Sequence, residues 1–187
     1  MPTMTPTFRV SFPNVFKPKE NQLSKKLEYS LLALFEKGAD LSKLEAAAEA
    51  AGVKKWGPDK KKWPKNIRTP FRDQGEKAKE NDEGKEVLPV GHVKGAIFLN
   101  LKSKERPGVV DQQTNPIIVD SEFYPGCYAR ATVNAYAYSQ AGNNGISFGL
   151  VNIQKVKDGD TFGSRTKPED DFAPIDNVVG SSSEIFG

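Results

Sequence analysis

Apolar and polar positions alternate along Phe8-Arg9-Val10-Ser11-Phe12, which predicts a first strand, and Pro13 and Pro18 interrupt it around Asn14-Val15-Phe16. From Leu23 the spacing becomes helical: Leu23, Leu27, Leu31, Leu34 and Phe35 fall on one face, with Gly38 placed as a C-terminal stop. A second helix is expected from about Asp40 to Ala51, opened by a capping box of Ser42 and Glu45, favoured by its alanines and ended by Gly52. Leu41 and Leu44 give it a narrow apolar face, so the two helices read as a hairpin, a structural insertion over about 22–52. Residues 53–86 change character. Glycine, proline and dense charge predict loop, with a short helical stretch near Glu76–Glu80.

Strand patterns dominate the rest. His92–Lys102 predicts one strand, and the short apolar piece Ile117-Ile118-Val119 is expected to pair with Val109-Val110. The longest strand is Cys127–Gln140. One of its faces carries only small residues: Cys127, Ala129, Ala131, Val133, Ala135 and Ala137. The other carries Tyr128, Arg130, Thr132, Asn134, Tyr136 and Tyr138. Gly142-Asn143-Asn144-Gly145 predicts a hairpin turn, and Ile146–Lys157 the returning strand. From Pro168 onward the pattern fails, which predicts disorder. Strands without βαβ alternation predict a mainly β fold, an antiparallel sheet or small barrel with a helical insertion. Residues 1–167 form the expected domain and 168–187 a flexible tail.

Composition narrows this picture. The apolar share of 37% rises close to the roughly 45–50% of globular domains once the 16 glycines are counted with it. A single cysteine, Cys127, excludes an intrachain disulfide and a cysteine-rich zinc site, and is compatible with a reducing cytoplasm. On the small-residue face it reads as core and not as a nucleophile. A single histidine, His92, excludes a histidine pair or a multi-histidine metal site, and without an evident partner it reads as a polar strand residue. No apolar run approaches the ~18 residues of a membrane span, and the first residues do not have the pattern of a signal peptide.

Charge is divided unevenly. The chain holds 27 basic and 24 acidic residues, and 168–187 contains five of the acids with no Lys or Arg, which leaves 27 basic against 19 acidic in 1–167. A basic body attracts polyanions, and an acidic tail can compete for that surface or recruit a basic partner. A solvated terminus without a role is the alternative.

Two stretches carry candidate chemistry. In a small barrel, Tyr128, Tyr136 and Tyr138 with Arg130 offer ring surfaces on which bases stack and a guanidinium for phosphate. They could equally cover the second face of the sheet under the helices. Lys54–Arg72 places Lys54, Lys55, Lys60, Lys61, Lys62, Lys65, Arg68 and Arg72 against one acid, Asp59, with Trp56, Trp63 and Phe71 interleaved. Cations beside rings in a loop fit single-strand binding. The alternative has the tryptophans anchoring the loop while the lysines face water. The carboxylates of Glu76–Glu86 alternate with lysines as on a solvated surface, so neither a metal site nor any other cofactor is expected, and a nuclease is disfavoured.

Arg9-Val10-Ser11-Phe12-Pro13-Asn14-Val15-Phe16, taken with Phe123-Tyr124-Pro125-Gly126-Cys127-Tyr128-Ala129-Arg130 and Gly145-Ile146-Ser147-Phe148-Gly149-Leu150, resembles a phage family first described as a domain of unknown function and since recognised as single-stranded-DNA-binding proteins. The resemblance covers most of 8–160. It implies an OB fold, a five-stranded partly open barrel, related in plan to the helix-destabilising proteins of phage replisomes. It also implies a non-enzymatic coat for unpaired DNA in the cytoplasm of an infected bacterium, active in replication and recombination, with no membrane partner and compatible with self-association. Tyr124 joins the candidate DNA contacts on this basis. Such proteins end in an acidic tail with a terminal aromatic. Asp170, Asp171, Phe172, Asp176, Glu184 and Phe186 would be its counterparts here, meeting a polymerase, helicase or primase. The acidic cluster, Glu169–Asp176, is sparse and stands well before Phe186. An RNA-binding or protein-interaction module is the alternative reading of the same face.

Overall fold

A computed structural model describes residues 1–163 and 171–175. Five strands carry the fold: β1 (Phe8–Glu20), β2 (Leu27–Leu34), β3 (Ile97–Ser103), β4 (Tyr128–Gln140) and β5 (Asn143–Lys157). An α-helix, α1 (Ser42–Trp56), lies between β2 and β3 in the chain, followed by short 3-10 turns at Lys60–Lys62 and Gln74–Lys77. β1 pairs antiparallel with β2, β2 with β3 and β5 with β4, while β3 and β5 run parallel through Phe148 opposite Leu101. Phe8 opposite Ala129 and Arg9 opposite Tyr128 join β1 to β4. The five pairings close a ring. Short strands extend it: Thr3–Met4 along β4, Gly108–Val110 along β5 and Arg72–Asp73 along β3.

The ring encloses Phe8, Val10, Leu31, Ala33, Leu99, Leu101, Ala129, Ala131, Val133, Phe148 and Ile153, all buried. The small-residue face expected on β4 is this interior: Cys127, Ala129, Ala131 and Val133 are fully buried, and burial raises the Cys127 thiol pKa. Small side chains there leave room for α1, which packs on β4 and adds Leu44 and Ala48 to the same core.

The N-terminal helical hairpin does not form. Residues 27–34 are a strand, because a four-residue spacing of leucines satisfies a period of two as well as a helical turn. Leu31, Ala33 and Phe35 enter the main core, while Leu32 and Leu34 point the other way and pack with Phe98 and Phe162. Burial on both faces removed the alternation that would have marked a strand. Pro13 and Pro18 do not end β1 either. Each lies in a stretch where register with β2 is lost, between Ser11 and Asn14 and between Asn14 and Lys19, and irregularities of this kind tolerate proline.

The second helix forms but is shifted. Ser42 and Glu45 make no capping box. Asp40 Oδ1 accepts from the Ser42 N–H at 3.0 Å, and no side chain caps Leu41. Gly52 does not stop the helix, which continues to Trp56 and ends at Gly57. It is buried beneath the Trp63 ring, where a methyl group would overlap the indole. The β4–β5 turn falls on Ala141-Gly142, both at positive φ, rather than on 142–145. The expected pairing of Ile117 with Val109 is present through a 2.8 Å backbone bond.

Candidate nucleic-acid interface

β4 presents Tyr136 and Tyr138 outward as a pair, with ring centroids 6.4 Å apart and planes tilted by 49°. The register with β5 sets their floor: Gly145 lies opposite Tyr138, Ser147 opposite Tyr136 and Gly149 opposite Asn134. A Cβ at Gly145 would collide with the Tyr138 ring, and one at Gly149 would touch Tyr136 Cε1 at 4.0 Å. The absent side chain at Gly145 therefore lets the Tyr138 ring lie down on the sheet. Tyr136 remains 46% exposed.

A groove of about 770 Å³ runs over this pair. Ser24 and Lys26 form one rim, from the turn between β1 and β2, and Lys102 and Lys104 form another, from the end of β3. On the far side Tyr136 adjoins Lys54 and Lys55 in the last turn of α1. Five lysines thus surround two rings. Two acids share the groove, Glu28, 3.7 Å from Lys102, and Glu105. Half-exposed pairs at that distance are weak, so the face stays positive. Flat rings inside a cationic rim suit a flexible polyanion that carries planar groups.

The other tyrosines stand elsewhere. At about 3.3 Å per residue, Tyr128 and Tyr138 are roughly 30 Å apart on β4. The Tyr128 ring is covered by the Arg9 guanidinium at 5.2 Å and by Lys157 Nζ at 4.6 Å. Arg9 also stacks on Phe162 at 4.3 Å and donates to Gly126 O at 3.2 Å and Asp160 O at 2.8 Å. Tyr124 donates to Asp158 Oδ1 at 2.9 Å beneath Lys155 Nζ, and burial pushes its phenol pKa up. These contacts seat residues 158–162 as a strap across one end of the barrel. Arg130 is exposed and donates from Nε to Gln154 Oε1 across the strand pair at 2.9 Å.

The basic aromatic segment lies beside the groove. Trp56 and Trp63 sit 5.5 Å apart, both half-buried. Trp63 Nε1 donates to Gly57 O at 2.7 Å and Trp56 Nε1 to Ser139 Oγ at 3.3 Å. Arg68 pairs with the β4–β5 hairpin through backbone bonds to Asn144 and Ile146, and its guanidinium donates to Asn143 Oδ1 at 3.3 Å. Lys60 pairs with Glu49 at 2.8 Å, while Lys61, Lys62 and Lys65 are exposed. Phe71 packs edge-on against the core residue Phe148 at 5.8 Å, and Arg72 bonds Glu76 at 2.8 Å while lying over Phe98. Of the tail residues, Asp171 and Phe172 are exposed, whereas Asp170, Asp176, Glu184 and Phe186 lie outside the described residues.

Sequence reasoning missed Lys26, Lys102 and Lys104, and it missed the floor. The alternation of Gly145, Ser147 and Gly149 was a readable signal for that floor. Lys26 was hidden by the helical reading of 23–35. His92 is buried with no hydrogen-bond partner for Nε2, in a turn before β3, against Phe12. Among the described residues, no group of three or more His, Cys, Asp and Glu could hold a metal ion, and no helix is long and apolar enough to cross a membrane.

The fold and this face define a small closed β-barrel with a ring-bearing cationic groove on its outer wall. Over residues 1–181 the chain matches the family described as the ssDNA-binding protein of Enterobacter phage Enc34, and it belongs to that family. It resembles the solved structure of the single-stranded DNA-binding protein from bacteriophage Enc34 in complex with ssDNA, with a TM-score of 0.64 at 17% identity over 86% of this chain and 88% of that one. It also resembles gp2.5, a single-stranded DNA-binding protein encoded by bacteriophage T7, with a TM-score of 0.54 at 13% identity over 89% and 97% of the two chains. Among curated proteins it matches protein p50 of Acyrthosiphon pisum secondary endosymbiont phage 1 at 41% identity over 69 residues, which is 36% of this chain and 37% of that protein.

Proposed function

We propose that this chain binds single-stranded DNA without acting on it chemically, as a coat for unpaired strands in phage replication and recombination within an infected bacterium. The observation that carries this reading is the Tyr136–Tyr138 pair, with Tyr138 seated on Gly145, inside a rim of lysines. Bases stack on the rings at roughly 1–3 kcal/mol each with little preference for sequence, and Lys26, Lys54, Lys55, Lys102 and Lys104 meet phosphates. Lys61, Lys62 and Lys65 extend the path, while the two tryptophans hold their loop in place. Tyr124, Tyr128, Phe71 and Arg72 serve the architecture, since each already has an internal partner. We read the five-strand ring as an OB barrel, whose outer face commonly takes oligonucleotides.

The acidic residues of 168–187 compete for the same face and recruit a basic partner such as a polymerase, helicase or primase, and copies associate along the coated strand. Trp56 is bonded to Ser139, beside Tyr138, so its emission reports occupancy. Titration with oligo-dT at several salt concentrations is expected to change that emission, with log affinity falling against log salt by about 0.7 per neutralised phosphate. The protein lacking 168–187 is expected to bind more tightly at low salt. Absence of an emission change and of salt dependence overturns the DNA reading, and unchanged affinity after truncation overturns the competition. Tighter binding of an RNA of equal length would move the assignment to RNA, which requires contacts to the 2′-hydroxyl.

A further inference from the structure

The turn between β1 and β2 is ordered by its own hydrogen bonds. Asn21 Oδ1 accepts from the N–H of Leu23 at 2.9 Å and of Ser24 at 3.1 Å. The Asn21 N–H donates to Lys26 O and the Lys25 N–H to Asn21 O, each at 2.8 Å, and Lys25 adopts a φ of 58°. This built turn holds Leu23 out in water, 95% exposed, with Leu27 also exposed behind it. Where β1 meets β2, exposed Glu20 lies opposite Leu27 and exposed Lys19 opposite Glu28, and in the turn the exposed Lys25 and Lys26 follow Leu23. The next residue, Ser24, and Lys26 form one rim of the tyrosine groove.

A fixed, solvated leucine gains by burial on whatever it meets. A protein surface would serve, but Lys25, Lys26 and a place at the rim of a cationic groove favour nucleic acid. A strand lying on Tyr136 and Tyr138 that follows the Ser24–Lys26 rim would leave the groove past this tip. Where that strand enters a duplex, the tip meets the first base pair, and apolar side chains placed there slip between bases and unstack them.

We propose that Leu23 is a wedge that opens the terminal base pair where single-stranded DNA joins a duplex. The inference rests on the single-strand reading above, and the test separates the two. The full chain is mixed with a duplex that carries an oligo-dT overhang and 2-aminopurine in its first base pair, and binding to free oligo-dT is measured in parallel. Wild-type protein is expected to raise the 2-aminopurine emission. Leu23→Ser is expected to cut that rise by about fivefold, while Leu23→Met preserves most of it. Affinity of both variants for free oligo-dT is expected to stay within about twofold of wild type, because the stacking rings are untouched. An undiminished rise with Leu23→Ser overturns the wedge, as does an equal loss of oligo-dT affinity in that variant. Wild-type binding to oligo-dT with no rise at the junction overturns it too, leaving the single-strand reading intact and giving the tip to a protein partner. Failure of wild type to bind oligo-dT overturns the underlying reading itself.

Discussion

The two ends of β4 use the same residue types for opposite purposes. At one end Tyr124 and Tyr128 lie under Lys155, Lys157 and Arg9, whose charges are engaged by ring faces, Asp158 and backbone carbonyls. At the other end Tyr138 lies on Gly145 beside Tyr136, with lysines around them but, among the described residues, none stacked on their faces. The first arrangement ties down the strap at 158–162. The second leaves its rings and most of its charge available. Tyrosine beside a cation is therefore not in itself a binding signature. What separates the two ends is whether the cation already has a ring to cover.

The contrast is open to direct attack. The largest effect is expected from Tyr136→Ala combined with Tyr138→Ala, which should weaken oligo-dT binding by roughly tenfold or more while leaving thermal stability close to wild type. Tyr128→Ala should do the reverse, costing about 1–2 kcal/mol of stability in a urea melt with affinity little changed. Equal loss of affinity in both experiments would erase the distinction. Gly145→Ala should act through its neighbour: the methyl lifts Tyr138 from the sheet and lowers affinity by about threefold to fivefold. Titration by tyrosine fluorescence checks this, and an unchanged affinity would show that the floor is not needed.

The smallest effect concerns His92. Burial lowers its pKa below the ordinary 6.5, so the unfolded chain takes up the proton first. The stability it contributes is present above pH 6.5 and is lost as pH falls from there towards its folded value. Replacing it with Leu should flatten the stability profile between about pH 7 and 5.5, as read from urea midpoints across that range. A profile as steep as wild type would assign the titration to other groups.

How much of this was legible in the chain depends on how many faces of each element are buried. β4 was readable because its two faces differ along its whole length, small inside and large outside. β2 was not, because Leu32 and Leu34 fill a second cluster on the outer wall and erase the alternation. The tyrosines were visible as a set, yet only the path of Arg9 and of the strap shows which of them are engaged, and both come from distant parts of the chain. Trp56 and Trp63 were read together with the lysines around them, either as stacking rings or as anchors of the loop. Composition cannot say that one indole N–H reaches Gly57 and the other Ser139.

The ring of strands is sealed by partners far apart in the chain, Phe8 with Ala129 and Leu101 with Phe148. During synthesis β1, β2 and β3 leave the ribosome long before β4 and β5 exist to close them, and loop closure over such separations is slow. For that interval Val10, Leu31, Leu99 and Leu101 remain uncovered beside unpaired strand edges. A stalled or prematurely ended chain should therefore be prone to aggregate, and its yield should depend on chaperones far more than that of the finished barrel.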